Sequence, residues 1–242
     1  MASTTANCPH CGRQLEKIEV PKFLTSVLGQ IQLFENCDCE SARAAAEERE
    51  AERARENEKR SAERFKRSME RAGIRELYQS ANHEKAGYYA KRIDKGQSFY
   101  FVGGFGVGKT YLACAIARKL LYNKKTVRFA TMIDLLLDLQ STYGLPLSEK
   151  TVLDKYSNCD VLVIDDLGKE QPTRWALTRI LAIINNREAN MKPMIITSNL
   201  RVSEIADRLG AVDPSDAEAI ASRLAGMCEV VDDFGIVDRR LQ

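Results

Sequence analysis

The chain contains no stretch approaching the roughly 20 consecutive apolar residues that cross a bilayer, and no membrane partner is expected of it. Its first residues, Met1 to Cys11, lack the apolar core of a secretory signal and run straight into cysteines. A cytoplasmic protein is the expectation. An excess of charge of one sign is also missing: 36 Lys and Arg stand against 34 Asp and Glu, a net charge of +2. Such balance denies the molecule a broad electrostatic footprint for nucleic acid, and any DNA contact has to rest on local sites. An even, regularly spaced set of cysteines of the kind that makes a disulfide framework is missing too. The seven are an odd number, four within the first 39 residues and three scattered later, which fits a metal site followed by reduced, buried thiols at Cys114, Cys159 and Cys228. What remains is a composition of 44% hydrophobic and 29% charged residues over 242 positions. That is a globular protein with room for one well-buried core and an accessory module, but not for two full-sized enzymes.

Three segments follow one another. Residues 1–39 hold two cysteine pairs and scattered strand-like apolar residues, Ile18, Val20, Phe23, Leu24, Ile31, Leu33 and Phe34, too few for a large core. Residues 40–72 shift abruptly to Ala, Glu, Arg and Lys without Gly or Pro, strong helix-forming chemistry. Pairs such as Glu56 with Arg60 and Glu63 with Arg67 support an exposed helix. Large apolar residues enter only at Phe65 and Met69, so no heptad seam runs along it and a charged linker is expected rather than a dimerising coil. Gly73 marks its end, and residues 73–242 form the main domain.

There, short β-rich runs (99–102, 127–130, 161–164, 194–197 and 229–231) alternate with helix-period segments, including 109–122, 132–142 and 174–190. Apolar strands separated by helices predict an α/β fold in three layers, a parallel sheet covered on both faces. Leu135, Leu136, Leu137 and Leu139 read as core, and Trp175 as packing.

Between the first such strand and the helix after it lies Gly103-Gly104-Phe105-Gly106-Val107-Gly108-Lys109-Thr110, which fits the pattern GxxxxGK[ST] in the context that pattern requires. Its glycines let successive N–H groups turn inward toward phosphate oxygens, and the following helix adds its positive end. Lys109 is expected to reach the β- and γ-phosphates of ATP, and Thr110 to offer its hydroxyl to Mg²⁺. Tyr111 completes the nucleotide-binding set. The apolar strand Val161-Leu162-Val163-Ile164 ends in Asp165 and Asp166, at the edge where the phosphate loop lies. Asp165 is the candidate Mg²⁺ ligand and Asp166 the residue that orients or deprotonates the attacking water. Ile195-Ile196-Thr197-Ser198-Asn199 ends a further strand in small polar groups, and Asn199 is the candidate sensor of the γ-phosphate.

Near the start, Cys8-Pro9-His10-Cys11 and Cys37-Asp38-Cys39 supply four thiolates in two tight pairs, as a tetrahedral zinc site requires. Zinc binding then supplies the stability that burial cannot. His10 is read as a bystander. A redox dithiol at Cys8 and Cys11 belongs near a βαβ unit, and none precedes it.

Together, GGFGVGKTYLACAIAR, VLVIDDLGKE, KPMIITSNL and AIASRLAGMCEVV resemble the AAA+ ATPases of the DnaC/DnaI helicase-loader type, close to the IstB transposition helpers, over roughly residues 73–242. The resemblance implies an AAA+ core without a helical lid, in keeping with a chain that stops soon after Arg239 and Arg240. It implies ATP hydrolysis at a site shared between subunits of an ATP-dependent homo-oligomer, with Arg223, in Ala221-Ser222-Arg223-Leu224, as the arginine finger supplied to the neighbour. It implies a helix near Met132–Tyr143 lining a path for single-stranded DNA, and a basic residue at Arg187, whose place near the end of an exposed helix also suits the helix dipole. It implies a zinc module that docks on the replicative helicase during DNA replication. Two alternatives stay open: a transposition helper acting on duplex target DNA, and a nucleotide-gated adaptor with little hydrolysis.

Overall fold

The computed structural model describes residues 6–18, 20, 33–144, 148–169 and 173–234. Phe23, Leu24, Ile31, Arg239 and Arg240 lie outside the described residues. By internal packing the chain divides into two units, Met1–Glu63 and Arg64–Gln242.

In the first unit, β1 (Ala6–Asn7) pairs antiparallel with β2 (Gln14–Leu15), and β3 (Lys17–Ile18) with β4 (Leu33–Phe34). Two-residue strands bury little. Ile18 and Leu33 remain about half exposed, and Cys8 is the one buried hydrophobic residue among the described residues of this unit.

Helix α1 (Glu40–Ala72) follows, and the division between the units falls within it. Arg60 and Glu56 form the expected i,i+4 pair at 2.6 Å, worth about 0.3–0.5 kcal/mol on an exposed face. Only its end is buried, at Met69 and Ala72. The helix stops in a Schellman arrangement, with Ile74 N–H donating to Met69 C=O at 3.0 Å and Gly73 at φ +91°. A Cβ on Gly73 would lie 2.3 Å from the carbonyl oxygen of Phe129, so no larger residue fits.

The second unit is built on a five-stranded, wholly parallel sheet of β5 (Ser98–Val102), β6 (Val127–Thr131), β7 (Val161–Leu167), β8 (Met194–Ser198) and β9 (Cys228–Val231), in the order β6-β7-β8-β5-β9. The strands are predominantly apolar, with polar residues gathered mainly toward their ends, and their alternate apolar residues feed two cores. Tyr100, Val102, Leu162, Ile164 and Ile196 pack against α4 (Met132–Gln140), α5 (Glu149–Asn158), α6 (Arg174–Ala189), α7 (Val202–Gly210) and α8 (Pro214–Met227). Phe99, Phe101, Val161, Val163 and Ile195 pack against α2 (Ala86–Ile93), α3 (Lys109–Tyr122) and the end of α1. Each fully buried Ile or Phe stabilises by about 1.5–3 kcal/mol. The three-layer α/β arrangement predicted from the alternation of strands and helices is the observed one. Cys114, Cys159 and Cys228 are all buried, as expected of core thiols.

Two expectations are corrected. Leu137 is 56% exposed while Leu135, Leu136 and Leu139 are buried, because four leucines within five positions cannot share one face of a 3.6-residue period. Arg187 is wholly buried rather than exposed. Its guanidinium donates to the carbonyls of Tyr156, Ser157 and Cys159 through one nitrogen and to those of Asp160 and Pro193 through another. It therefore ties the approach to β7 to the approach to β8. Trp175 packs against the core with Arg179 over its ring.

Because all five strands are parallel and β5, β8 and β7 are neighbours, the segments leaving their C-terminal ends share one edge of the sheet. The phosphate-type loop and Asn199 leave from that edge, and the two aspartates stand near the C-terminal end of β7.

Candidate nucleotide-binding site

The segment Gly103–Gly108 leaves β5 and turns into α3. Gly106 (φ +71°) and Gly108 (φ +102°) adopt backbone that side chains disfavour, and Gly108 caps the helix in the left-handed region. Val107 is buried beneath the loop, and Phe105 is 64% exposed at its tip. Lys109 begins α3 and is buried, its Nζ donating to the carbonyls of Gly103 (2.8 Å) and Gly104 (2.6 Å) and to Asn199 Oδ1 (2.8 Å). The loop thus gathers oxygen acceptors around one ammonium, the environment that phosphate oxygens also supply.

Behind the lysine, Asp165 Oδ1 accepts from Thr110 Oγ1 at 2.8 Å and from Thr197 Oγ1 at 2.6 Å. Burial raises the Asp165 carboxyl above its ordinary range, while the two threonine hydrogen bonds pull it back. Thr197 Oγ1 in turn accepts from the backbone N–H of Asp166 at 3.0 Å. Asp166 itself sits at φ +59°, in an irregularity of the β7–β8 pairing between Ile164 and Leu167, and its Oδ2 accepts from Lys169 Nζ at 2.6 Å. Lys169 Nζ also stands 5.7 Å from the centre of the Phe105 ring.

A cavity of about 800 Å³ opens over these groups, within the range of small-molecule sites. Gly106, Gly108, Lys109, Thr110, Tyr111, Asp166, Lys169 and Asn199 line one side. Leu77, Tyr78, Asn82, His83 and Glu84 line the other. The Tyr111 hydroxyl ties the two sides together, accepting from Asn82 N–H (3.1 Å) and donating to Asn82 C=O (3.2 Å). Arg118 reinforces the tie by donating to the carbonyl of Ala81. No motif marks the Leu77–Glu84 segment, and sequence reasoning missed it. Thr197 was missed as well, since a Thr in a β-rich run reads as strand.

Thr110 and Asp165 offer hard oxygen donors that suit a divalent cation, and their mutual hydrogen bond is the contact such an ion would replace. Arg223 is not brought to this cavity. It lies on α8, where it donates to Ala219 C=O at 3.1 Å and its Nε stands 3.3 Å from Glu188 Oε2, an ion pair without hydrogen-bond geometry. In the first unit, one sulfur from each of Cys8, Cys11, Cys37 and Cys39 falls within 4.8 Å of the others. Zinc at about 2.3 Å from each of four thiolates needs closely comparable separations. The donor set fits. The Cys8 thiol is lowered to about 7, chiefly by the His10 backbone N–H directed at its sulfur, and the His10 ring is outside the cluster.

A family described as IstB-like ATP binding protein matches residues 46–239. The replicative helicase loader DnaC of Escherichia coli (strain K12) is 31% identical over 163 residues, which cover 61% of this chain and 66% of that protein. The chain thus spans just under two thirds of this relative's length. Among solved structures, a DnaC helicase loader matches with TM-score 0.54 and 29% identity over 65% of this chain and 99% of that one. DnaI matches with TM-score 0.54 and 26% identity over 62% and 86%. The α/β unit is therefore an AAA+ domain of the DnaC and DnaI kind. No helix among the described residues is long and apolar enough to cross a membrane.

Proposed function

The chain belongs to the IstB-like ATP binding protein family, and from that premise we propose that it is an ATP-dependent loader of the replicative helicase, acting in the cytoplasm on single-stranded DNA. The observation that carries the reading is the joined set of Lys109 with Asn199 and Thr110 with Asp165 beside the cavity, in a chain similar to DnaC. ATP lies with its phosphates along Gly103–Thr110 and its base toward Leu77–Glu84. Lys109 neutralises the β- and γ-phosphates, and Thr110 and Asp165 would hold Mg²⁺, which would screen the phosphate charge. Asp166 orients the attacking water. A bond forms from the water oxygen to the γ-phosphorus, the bond from that phosphorus to the bridging oxygen of ADP breaks, and the water proton passes by way of Asp166 to the phosphate product. Asn199, already bonded to Lys109, reports the loss of the γ-phosphate to β8.

Arg223 of a neighbouring copy completes the site in an ATP-dependent homo-oligomer, where it neutralises charge developing on the γ-phosphate. Residues 1–39 act as a zinc module held by Cys8, Cys11, Cys37 and Cys39 that docks on the helicase. Residues 40–72 link it to the ATPase domain at 73–242. Copurification with a hexameric replicative helicase in the presence of ATP tests the proposal, and absence of the complex in both ATP and ADP overturns it. Preference for duplex over single-stranded DNA would instead favour a transposition helper. A nucleotide-gated adaptor with little hydrolysis is the second reading, favoured by one observation: the Asp166 carboxylate is paired with Lys169.

A further inference from the structure

We propose that Lys169 is a positioning residue that holds Asp166 in an idle pair even with a nucleotide bound, so that the site carries its own brake on hydrolysis. This rests on the reading of the chain as an ATPase with Asp166 orienting the water.

The geometry restricts how Asp166 can be released. Its backbone is held on two sides, by the N–H bond to Thr197 Oγ1 and by the turn in which Lys169 N–H donates to Asp166 C=O at 3.3 Å. Gly168, at φ +91°, closes that turn, and a Cβ there would fall 2.6 Å from Ile205 Cδ1. The turn is therefore pinned against α7, and the mobile parts are the two side chains. With Oδ2 accepting a hydrogen bond from the lysine ammonium at 2.6 Å, the carboxylate presents less of its lone-pair density to a water.

Lys169 also stands beside the nucleotide cavity, where its pairing bears on the reaction. It lines the same cavity as Lys109 and Thr110, and its ammonium stands over Phe105 at the tip of the phosphate loop. It thus has one partner on the catalytic carboxylate and another on the loop that a nucleotide would occupy. The side chains of Lys169 and Asp166 are 44% and 28% exposed. Pairs this open to water are weak, so the brake is slight and easily lifted, about two- to fivefold in rate.

The experiment is steady-state ATP hydrolysis by the full chain, without helicase or DNA, comparing wild type with Lys169→Met and Lys169→Arg, with ATP binding and thermal unfolding measured alongside. Lys169→Met is expected to raise kcat about two- to fivefold with KM changed by less than about twofold, and Lys169→Arg, which restores a cation, to bring the rate back toward wild type. Hydrolysis by Lys169→Met where wild type has none supports the brake equally. An unchanged kcat overturns it, and so does a fall in kcat or a large rise in KM, which would make Lys169 a ligand of the productive phosphate. If wild type and Lys169→Met both bind ATP and neither hydrolyses it, the ATPase reading itself fails and takes the brake with it. Wild-type hydrolysis without acceleration in the variant sinks the brake alone.

Discussion

Replacing Thr197 with Val removes one hydroxyl and keeps the shape of the side chain. That hydroxyl donates to buried Asp165 at 2.6 Å and accepts from Asp166 N–H at 3.0 Å, so both aspartates lose a partner at once. A hydrogen bond to a charged group contributes about 1.5–3 kcal/mol, and an N–H left without a partner costs about 1–3 kcal/mol. The two losses share one site and partly relax, so the expected destabilisation is about 2–4 kcal/mol at neutral pH. In a domain of this size that is a fall in melting temperature of about 4–16 °C. The pH dependence is diagnostic. Burial raises Asp165 above its unfolded value despite the two threonine donors, so its folded form binds a proton more tightly, and stability is lost as pH rises through the raised value. Without Thr197 that value rises further and the loss deepens. Thermal unfolding at about pH 4 and about pH 8 should show Thr197→Val much closer to wild type at the lower pH, while Thr197→Ser stays near wild type at both. A destabilisation below about 0.5 kcal/mol, or one independent of pH, would refute the reasoning.

Asp166→Asn should keep ATP binding and lower turnover at least tenfold, read as a fall in kcat with little change in KM. Arg187→Met should cost about 3–5 kcal/mol, because five backbone carbonyls lose their common donor; a shift in urea midpoint equivalent to less than about 1 kcal/mol would contradict this. The purified chain should carry about one zinc per molecule, and its removal by a chelator should expose residues 1–39 to protease while leaving the melting of the AAA+ unit unchanged.

Strands, helices and the phosphate-type loop were legible because each is local. Apolar runs of strand length give the sheet, and helix α3 occupies the expected Lys109–Tyr122. The contacts that were not legible are long-range. Nothing in Leu77–Glu84 announces a cavity wall; Tyr111 and Arg118 hold that segment from 29 and 37 positions away. Arg187 looks like a residue suited to a helix dipole until the approaches to β7 and β8 close around it. Thr197 carries no signal in a strand, yet its hydroxyl meets Asp165 because β7 and β8 are adjacent. The pairing of Asp166 with Lys169 depends on the left-handed turn at Gly168, which spacing alone does not specify.

Every role proposed for this site requires that the loop at Gly103–Thr110 hold ATP. Calorimetric titration of the full chain with ATP and Mg²⁺ tests this directly against Lys109→Ala. Wild type should bind one nucleotide per chain in a Mg²⁺-dependent manner, and a folded Lys109→Ala should bind it at least tenfold more weakly. Equal binding by the two proteins, or no binding by wild type, would contradict it.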